Sequence, residues 1–266
     1  MKNKAIAVIS FGTSHLDTKE KTIDRITNHI RQAFTEYTVY EAFTSGIIKR
    51  VLEKREGLHI FNVEEAMEAM LADGIEEVIV QPTHILNGFE YDKMMAQLAP
   101  YKDKFAKLSV GVPLLTDTDD YLYFIEHLMK EMPPTSKEEA IVFMGHGSDH
   151  YINVTYSAMN DMLRARGYDH TYVGTVEAYP YIEDVIERLN RGAYKKVYLT
   201  PFMIVAGEHA KNDMIGEEED SWMNILQSEG YEVVPIVKGL GEYDFVSTLF
   251  IKHIKDVMKK HLGLEK

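Results

Sequence analysis

Three apolar runs in this chain each end on a residue able to bind a metal ion or move a proton. AIVFM (140–144) is followed by Gly145-His146-Gly147-Ser148-Asp149-His150, TYVGTV (171–176) leads into Glu177, and KVYLTPFMIVAG (196–207) leads into Glu208 and His209. His146, Glu177 and His209 follow one another at intervals of 31 and 32 residues. One ionisable group per strand–helix repeat is the spacing by which adjacent parallel strands aim side chains at one point, because the working groups of such sheets gather at the carboxyl ends of strands. Two imidazoles and a carboxylate suit a borderline divalent ion such as Co²⁺, Ni²⁺, Fe²⁺ or Zn²⁺. Each residue alone has a plainer explanation: a turn histidine, an acid complementing a helix dipole, a surface histidine. Three at successive strand ends favour a metal site. The glycines flanking His146 allow a ligand to approach the backbone closely.

Other chemistries fit less well. Ser148 stands beside Asp149 and His150, but neither it nor Ser14 lies in the G-x-S-x-G turn that a nucleophilic serine of this fold class needs. There is no G-x-G-x-x-G after the first apolar run and no G-x-x-x-x-G-K-[ST] loop, which argues against nucleotide binding. The chain has no cysteine, which excludes disulfides, zinc ribbons, iron–sulfur clusters and a thiol nucleophile. With 29 Lys+Arg against 42 Asp+Glu the net charge is −13, and nucleic acid is an unsuitable partner. The apolar stretch after Lys2 and Lys4 is shorter than the roughly 7–15 residues of a secretory core, and no run approaches the roughly 20 residues that span a bilayer. The expectation is a cytoplasmic protein without a membrane partner. A homo-oligomer is compatible with the sequence, although no interface motif stands out.

Two loops of the first half, FGTSH (11–15) and QPTHILNG (81–88), carry hydrogen-bonding groups. Phe11, Gly12, Thr13, Ser14, His84 and Gly88, together with Gly207 and Glu208, are the candidate substrate contacts. His15 and His84 are weighed as extra metal ligands, with a helix-entry hydrogen bond the better role for His15 and the lining of a cleft for His84. His29, His59, His127, His170, His253 and His261 fall in helices or turns and are expected to be solvated.

The elements that must position these residues alternate along the chain. Strands are expected at 5–10, 38–43, 76–81, 108–112, 140–145, 171–176, 196–201 and 231–236. Helical periodicity marks 18–34, 63–73, 117–131, 152–166, 179–191 and 243–261. Continuous apolar strands suit parallel sheets covered on both faces, so the fold class is α/β. The halves echo one another: VIVQPTHILNGFEYDKM (78–94) resembles VYLTPFMIVAGEHAKNDM (197–214), and SFGTSH (10–15) resembles FMGHGS (143–148), with Thr13 where His146 stands. Two similar doubly wound domains follow, each with a parallel four-stranded sheet. They are expected at 1–131 and 132–242, with 243–266 a C-terminal helix packing back and a ligand cleft between the two. The paired prolines of MPPTSKEE (132–139) mark the boundary.

VISFGTSH, VFMGHGS, VEAYP and PFMIVAGEHAKNDM together resemble the anaerobic cobalt chelatases of cobalamin biosynthesis, over essentially the whole chain. The resemblance implies a class II chelatase related to ferrochelatase, which inserts Co²⁺ into sirohydrochlorin or precorrin-2 without ATP or an organic cofactor. It carries the family's metal-binding histidines onto His146 and His209, and its acid onto Glu177. The partners implied are a tetrapyrrole and a divalent metal, with Co²⁺ as substrate and Fe²⁺ or Ni²⁺ as alternatives that three borderline ligands do not separate. Ferrochelatase-type Fe²⁺ insertion, a non-catalytic tetrapyrrole or haem carrier, and a metal-dependent hydrolase are the competing readings. Metallation removes two pyrrole protons, for which one of the two histidines is the expected acceptor, His209 ahead of His146, with Glu177 as relay or co-ligand. Because the macrocycle is a polycarboxylate, so acidic a chain needs local compensation. Backbone amides and hydroxyls of the 11–15 and 84–88 loops, with few lysines or arginines, are expected to supply it.

Overall fold

Among the described residues, runs rich in β-branched and apolar residues form eight strands, all paired in parallel. The computed structural model describes residues 3–261, which form two units: one runs to Asp120 and resumes at Gly241, the other is Tyr121–Leu240. The first holds β1 (Lys4–Ser10), β2 (Thr38–Phe43), β3 (Glu77–Pro82) and β4 (Lys107–Val110) in the order β2-β1-β3-β4. The second holds β5 (Glu139–Gly145), β6 (Thr171–Thr175), β7 (Lys196–Phe202) and β8 (Glu232–Pro235) in the order β6-β5-β7-β8. The two sheets thus share one topology, and every expected strand is found within a few residues of its expected bounds.

The helices are α1 (Leu16–Lys19), α2 (Arg25–Ala33), α3 (Gly46–Glu56), α4 (Val63–Ala72), α5 (Phe89–Leu98), α6 (Thr118–Glu131), α7 (Val154–Ala165), α8 (Ile182–Leu189), α9 (Trp222–Ser228) and α10 (Asp244–His261). A π-helical stretch, Glu20–Asp24, joins α1 to α2, so the helix expected at 18–34 is interrupted. Helices α3, α5 and α9 were not among the expected elements. None of the described helices is long and apolar enough to cross a membrane.

In the first unit Ala5, Ala7 and Ile9 of β1 and Val78 and Val80 of β3 pack against Val63, Met67 and Met70 of α4 and Met94 and Leu98 of α5. Ile6, Val8 and Ile79 alternate with them and serve the opposite face, where α10 lies on β3 and α2. Val246, Leu249, Phe250, His253 and Ile254 of α10 are all buried. Their i, i+3, i+4 spacing carries His253 into that inward stripe, so it is not the solvated residue expected. His253 Nε2 lies 2.9 Å from Asp120 Oδ1. Burial pushes the Asp120 carboxyl up, but the His253 hydrogen bond and nearby positive charge outweigh it, and the group ends below its usual range. The side chain of His261 lies outside the described residues.

In the second unit Ala140, Val142, Met144, Val197 and Leu199 meet Val185, Leu189, Trp222 and Leu226. Across the sheet Phe202 takes edge contacts from Phe124 at 5.5 Å and Tyr156 at 6.1 Å. Strand β6 is an edge strand, and Asn160 of α7 caps it as a neighbouring strand would. The Val173 N–H donates to Asn160 Oδ1 at 2.8 Å, while Asn160 Nδ2 donates to the carbonyls of Val173 (2.8 Å) and Tyr156 (3.0 Å). The Asn160→Leu substitution orphans both buried backbone groups of Val173. Each such loss costs about 1–3 kcal/mol, so urea unfolding should register a destabilisation of about 2–6 kcal/mol.

Candidate metal centre

The centre is built on the carboxyl ends of three neighbouring strands of the second unit. Gly145, last in β5, is in register with Thr175, last in β6, and with Phe202, last in β7. The three strands therefore stop at one level, and the residues that follow them enter the same space. His146 comes directly after β5, Glu177 lies in the turn after β6, and His209 opens the π-helical turn Ala210–Met214 beyond β7.

Backbone bonds continue past the strands. Val176 N donates to Gly145 O (3.0 Å) and Glu177 N to His146 O (2.9 Å), which fixes the two side chains as neighbours. The turn carrying Glu177 closes on itself through Thr175 N to Pro180 O at 2.7 Å. Asn153 links it to the His146 loop by accepting from Ser148 N (3.0 Å) and donating to Tyr179 O (2.6 Å). Gly147 has φ +84°, and a Cβ there would lie 2.7 Å from Thr175 Oγ1 and 2.8 Å from Ala178 N. That glycine is required by close packing of the two loops, so the space beside it is not left for a ligand.

One donor atom from each of His146, Glu177 and His209 lies within 4.8 Å of the others. The imidazoles meet edge to face, ring centres 4.5 Å apart and planes at 84°. His146 Nδ1 is 2.8 Å from Gly147 O and His209 Nδ1 is 2.7 Å from Asp213 Oδ2. Both acceptors call for a proton on Nδ1, which leaves each Nε2 with a free lone pair. Glu177 Oε2 lies 3.5 Å from His146 Nδ1. Donors about 2.1 Å from an ion are at most about 4.2 Å apart, so a small closure of these side chains suffices to bind one. The three side chains are 45%, 53% and 34% exposed, leaving the far side of an ion open. Three donors on an open face can hold a cation and pass it to another ligand.

Sequence reasoning missed Asp213. It lies four residues after His209, a spacing that brings side chains together on a helix, and the carboxylate orients the ring through the 2.7 Å contact with Nδ1. Asn153 was missed too; its part depends on a tertiary contact. Glu177 stands beside His146, 3.5 Å from its Nδ1, and Asp213 beside His209. Ser148 is a turn residue whose Oγ accepts from His150 N at 3.0 Å, and His150 is buried and accepts from Ile152 N.

Gly207 and Glu208 share the loop of His209, where the Gly207 carbonyl accepts from Lys211 N (3.0 Å) and Glu208 Oε1 from Asn212 Nδ2 (2.7 Å). The remaining candidates belong to the first unit, at the carboxyl edge of its sheet. Phe11 is exposed. Gly12 has φ +104°, and a Cβ there would meet Phe43 at 2.5 Å. Thr13 is buried, its hydroxyl accepting from His15 N at 3.2 Å. Ser14 accepts from Arg55 through its carbonyl, and Gly88 begins α5. His15 starts α1 through its backbone, not its ring. Both ring nitrogens of His84 are shut off from water and have no hydrogen-bond partner among the described residues. Burial pushes that imidazole down to about 4, with Glu90 pulling it up and Lys93 lowering it further. Among the described residues neither histidine joins the metal cluster.

Comparison with known proteins is consistent along the chain. The family model for cobalt chelatase (CbiK) matches residues 4–259. The sirohydrochlorin cobaltochelatase of Salmonella typhimurium is 35% identical over 255 residues, 96% of each chain. The sirohydrochlorin cobaltochelatase CbiKC of Nitratidesulfovibrio vulgaris is 30% identical over 257 residues, 96% of this chain and 90% of that one. SirB from Bacillus subtilis, solved with Fe³⁺, superposes with a TM-score of 0.66 at 14% identity, covering 99% of this chain and 98% of its own. At that identity the likeness concerns the fold.

Two outcomes are expected. Replacing Asp213 by Asn removes the charge behind His209 and should weaken Co²⁺ binding, read by calorimetry, by about 10–100-fold. The neutral imidazole of His84, its ring nitrogens closed to water, makes folding pH-dependent. Its pKa is about 4 folded against 6.5 for the ordinary group, so the unfolded chain takes up the proton first as pH falls. The contribution is complete above pH 6.5 and declines towards pH 4, by about 3 kcal/mol in all. Urea titrations at both ends of that window should show a shallower pH dependence for His84→Leu.

Proposed function

This chain belongs to the cobalt chelatase (CbiK) family, and on that premise we propose that it inserts Co²⁺ into sirohydrochlorin, drawing on neither ATP nor an organic cofactor. Co²⁺ is the family's metal substrate, and the chain is a chelatase. In this proposal His146 and His209 bind the ion through Nε2, with the Glu177 carboxylate as third donor. The observation that carries the assignment is the convergence of those three groups within 4.8 Å, on an exposed face, at the ends of three adjacent strands.

Insertion exchanges the ion's protein and water ligands for four ring nitrogens while two pyrrole N–H protons leave. A three-donor site releases its ion in steps, each protein bond giving way as a ring nitrogen arrives. A ring nitrogen that has replaced His209 frees Nε2 to accept a pyrrole proton. The resulting imidazolium keeps its Nδ1–H bond to Asp213, which stabilises the charge. Glu177, half exposed beside His146, passes the second proton to water. Tyr151 and Val154, which follow the His146 loop along the chain, and Tyr179, two residues after Glu177, are exposed, and in this proposal they offer an apolar surface to a flat macrocycle.

Absorbance of sirohydrochlorin during Co²⁺ insertion, corrected for the rate without protein, tests the assignment. His146→Ala and His209→Ala should each lower kcat/KM at least about a hundredfold, the scale of a lost proton acceptor or metal ligand. Undiminished turnover in both removes these residues from the mechanism, and a parent protein that binds the macrocycle without metallating it is a carrier.

A further inference from the structure

Asn153 stands between two of the three donor loops, and among the described residues no hydrogen bond joins it to either donor's side chain. It ends the short 3₁₀ turn Tyr151–Asn153 that leads into α7 and is half-buried. A peptide N–H only donates and a peptide carbonyl only accepts. The 3.0 Å contact with Ser148 N therefore belongs to Asn153 Oδ1, and the 2.6 Å contact with Tyr179 O to Nδ2.

The Ser148 N–H is one end of the peptide group that joins Gly147 to Ser148. Its other end, Gly147 O, lies 2.8 Å from His146 Nδ1. A planar peptide moves as one body, so a single rigid unit runs from Asn153 Oδ1 to the imidazole. That unit lies beyond β5, which ends at Gly145, and no strand ladder holds it. Gly147, at φ +84°, gives it freedom to rotate. Asn153 is the brake on that rotation. Without it the carbonyl swings away, and the Nδ1–H turns to the next acceptor, Glu177 Oε2 at 3.5 Å. His146 then no longer aims Nε2 at the ion, and Glu177 is drawn off as a donor. The second bond acts on Glu177 directly. Tyr179 lies two residues after it, in the turn that Thr175 N closes on Pro180 O, and Asn153 Nδ2 pins that turn from outside.

We propose that Asn153 is a positioning residue of the metal centre, holding His146 through the 147–148 peptide and Glu177 through the Tyr179 carbonyl. The proposal rests on the reading of His146, Glu177 and His209 as the Co²⁺ site. Asn153 does for His146 what Asp213 does for His209, through a peptide group instead of a carboxylate.

The test titrates Co²⁺ into the full chain by calorimetry and records the ligand-field absorption of the bound ion, for the parent, Asn153→Ala, Asn153→Asp, His146→Ala and the His146→Ala/Asn153→Ala double variant. Asn153→Ala should bind one ion per chain about 10–100-fold more weakly, the scale of a lost group behind a metal ligand, with an altered absorption. A merely structural role would lower the folded fraction in urea and leave the affinity and absorption of the folded molecules as in the parent; that result overturns the proposal. Asn153→Asp keeps an oxygen for the Ser148 N–H and loses the donor to Tyr179. In about 1 M salt, which screens the added charge, its affinity should fall between those of Asn153→Ala and the parent. Affinity no better than that of Asn153→Ala overturns the link through the peptide. In the His146→Ala background the loss of Asn153 should cost less than in the parent, because coupled residues are not additive; an undiminished loss overturns action through His146. His146→Ala that binds Co²⁺ as tightly as the parent removes the metal centre itself. A weakened His146→Ala beside an unaffected Asn153→Ala removes this proposal alone.

Discussion

The hydrogen bond from the Glu177 amide to the His146 carbonyl, 2.9 Å long, carries the β5–β6 ladder past the last strand residue and ties two of the three donors to one backbone frame. The register of β7 against β5 sets where the loop to His209 departs. Gly147 permits the approach of the two loops, because a Cβ there would meet Thr175 and Ala178. Asn160 saturates the outer edge of β6. Residues far from the ion thus decide how close the donors come. An error of one residue in either strand register would turn each side chain to the other face of the sheet.

A site that must give up its ion is built differently from one that keeps it. In the proposed centre three donors, each a third or more exposed, would leave coordination positions for incoming ring nitrogens. A closed set of four thiolates would hold the ion in place, so the absence of cysteine accords with a metal that is substrate. The net charge of −13 draws cations over long distances and opposes a polycarboxylate.

The strands were legible because a strand covered on both faces must be apolar throughout, and such runs stand out. The short helices were not. In α3 only Leu52 is buried while Ile47 and Val51 face outward, so the period that would announce a helix is absent. In α5 the buried anchors are Met94 and Leu98 alone. His253 shows the reverse case. Its position in an apolar stripe was visible, but its burial depends on Asp120, a residue 133 positions away that accepts its hydrogen bond. Sequence reasoning prices a lone histidine as solvated because the cost of burial is apparent and the distant partner is not.

By itself the sequence determined the alternation of strand and helix, the repeat of one topology in two halves, and the placing of His146, Glu177 and His209 at successive strand ends. All of these follow from local periodicity and from the way parallel strands present their carboxyl ends. Only the tertiary structure decided how the donors are oriented. It gave His209 an Asp213 partner and His146 the Gly147 carbonyl, and shut the His84 nitrogens from water. Those outcomes turn on distances of a few ångströms between side chains, which hydrogen-bond geometry and desolvation set and residue spacing alone does not specify.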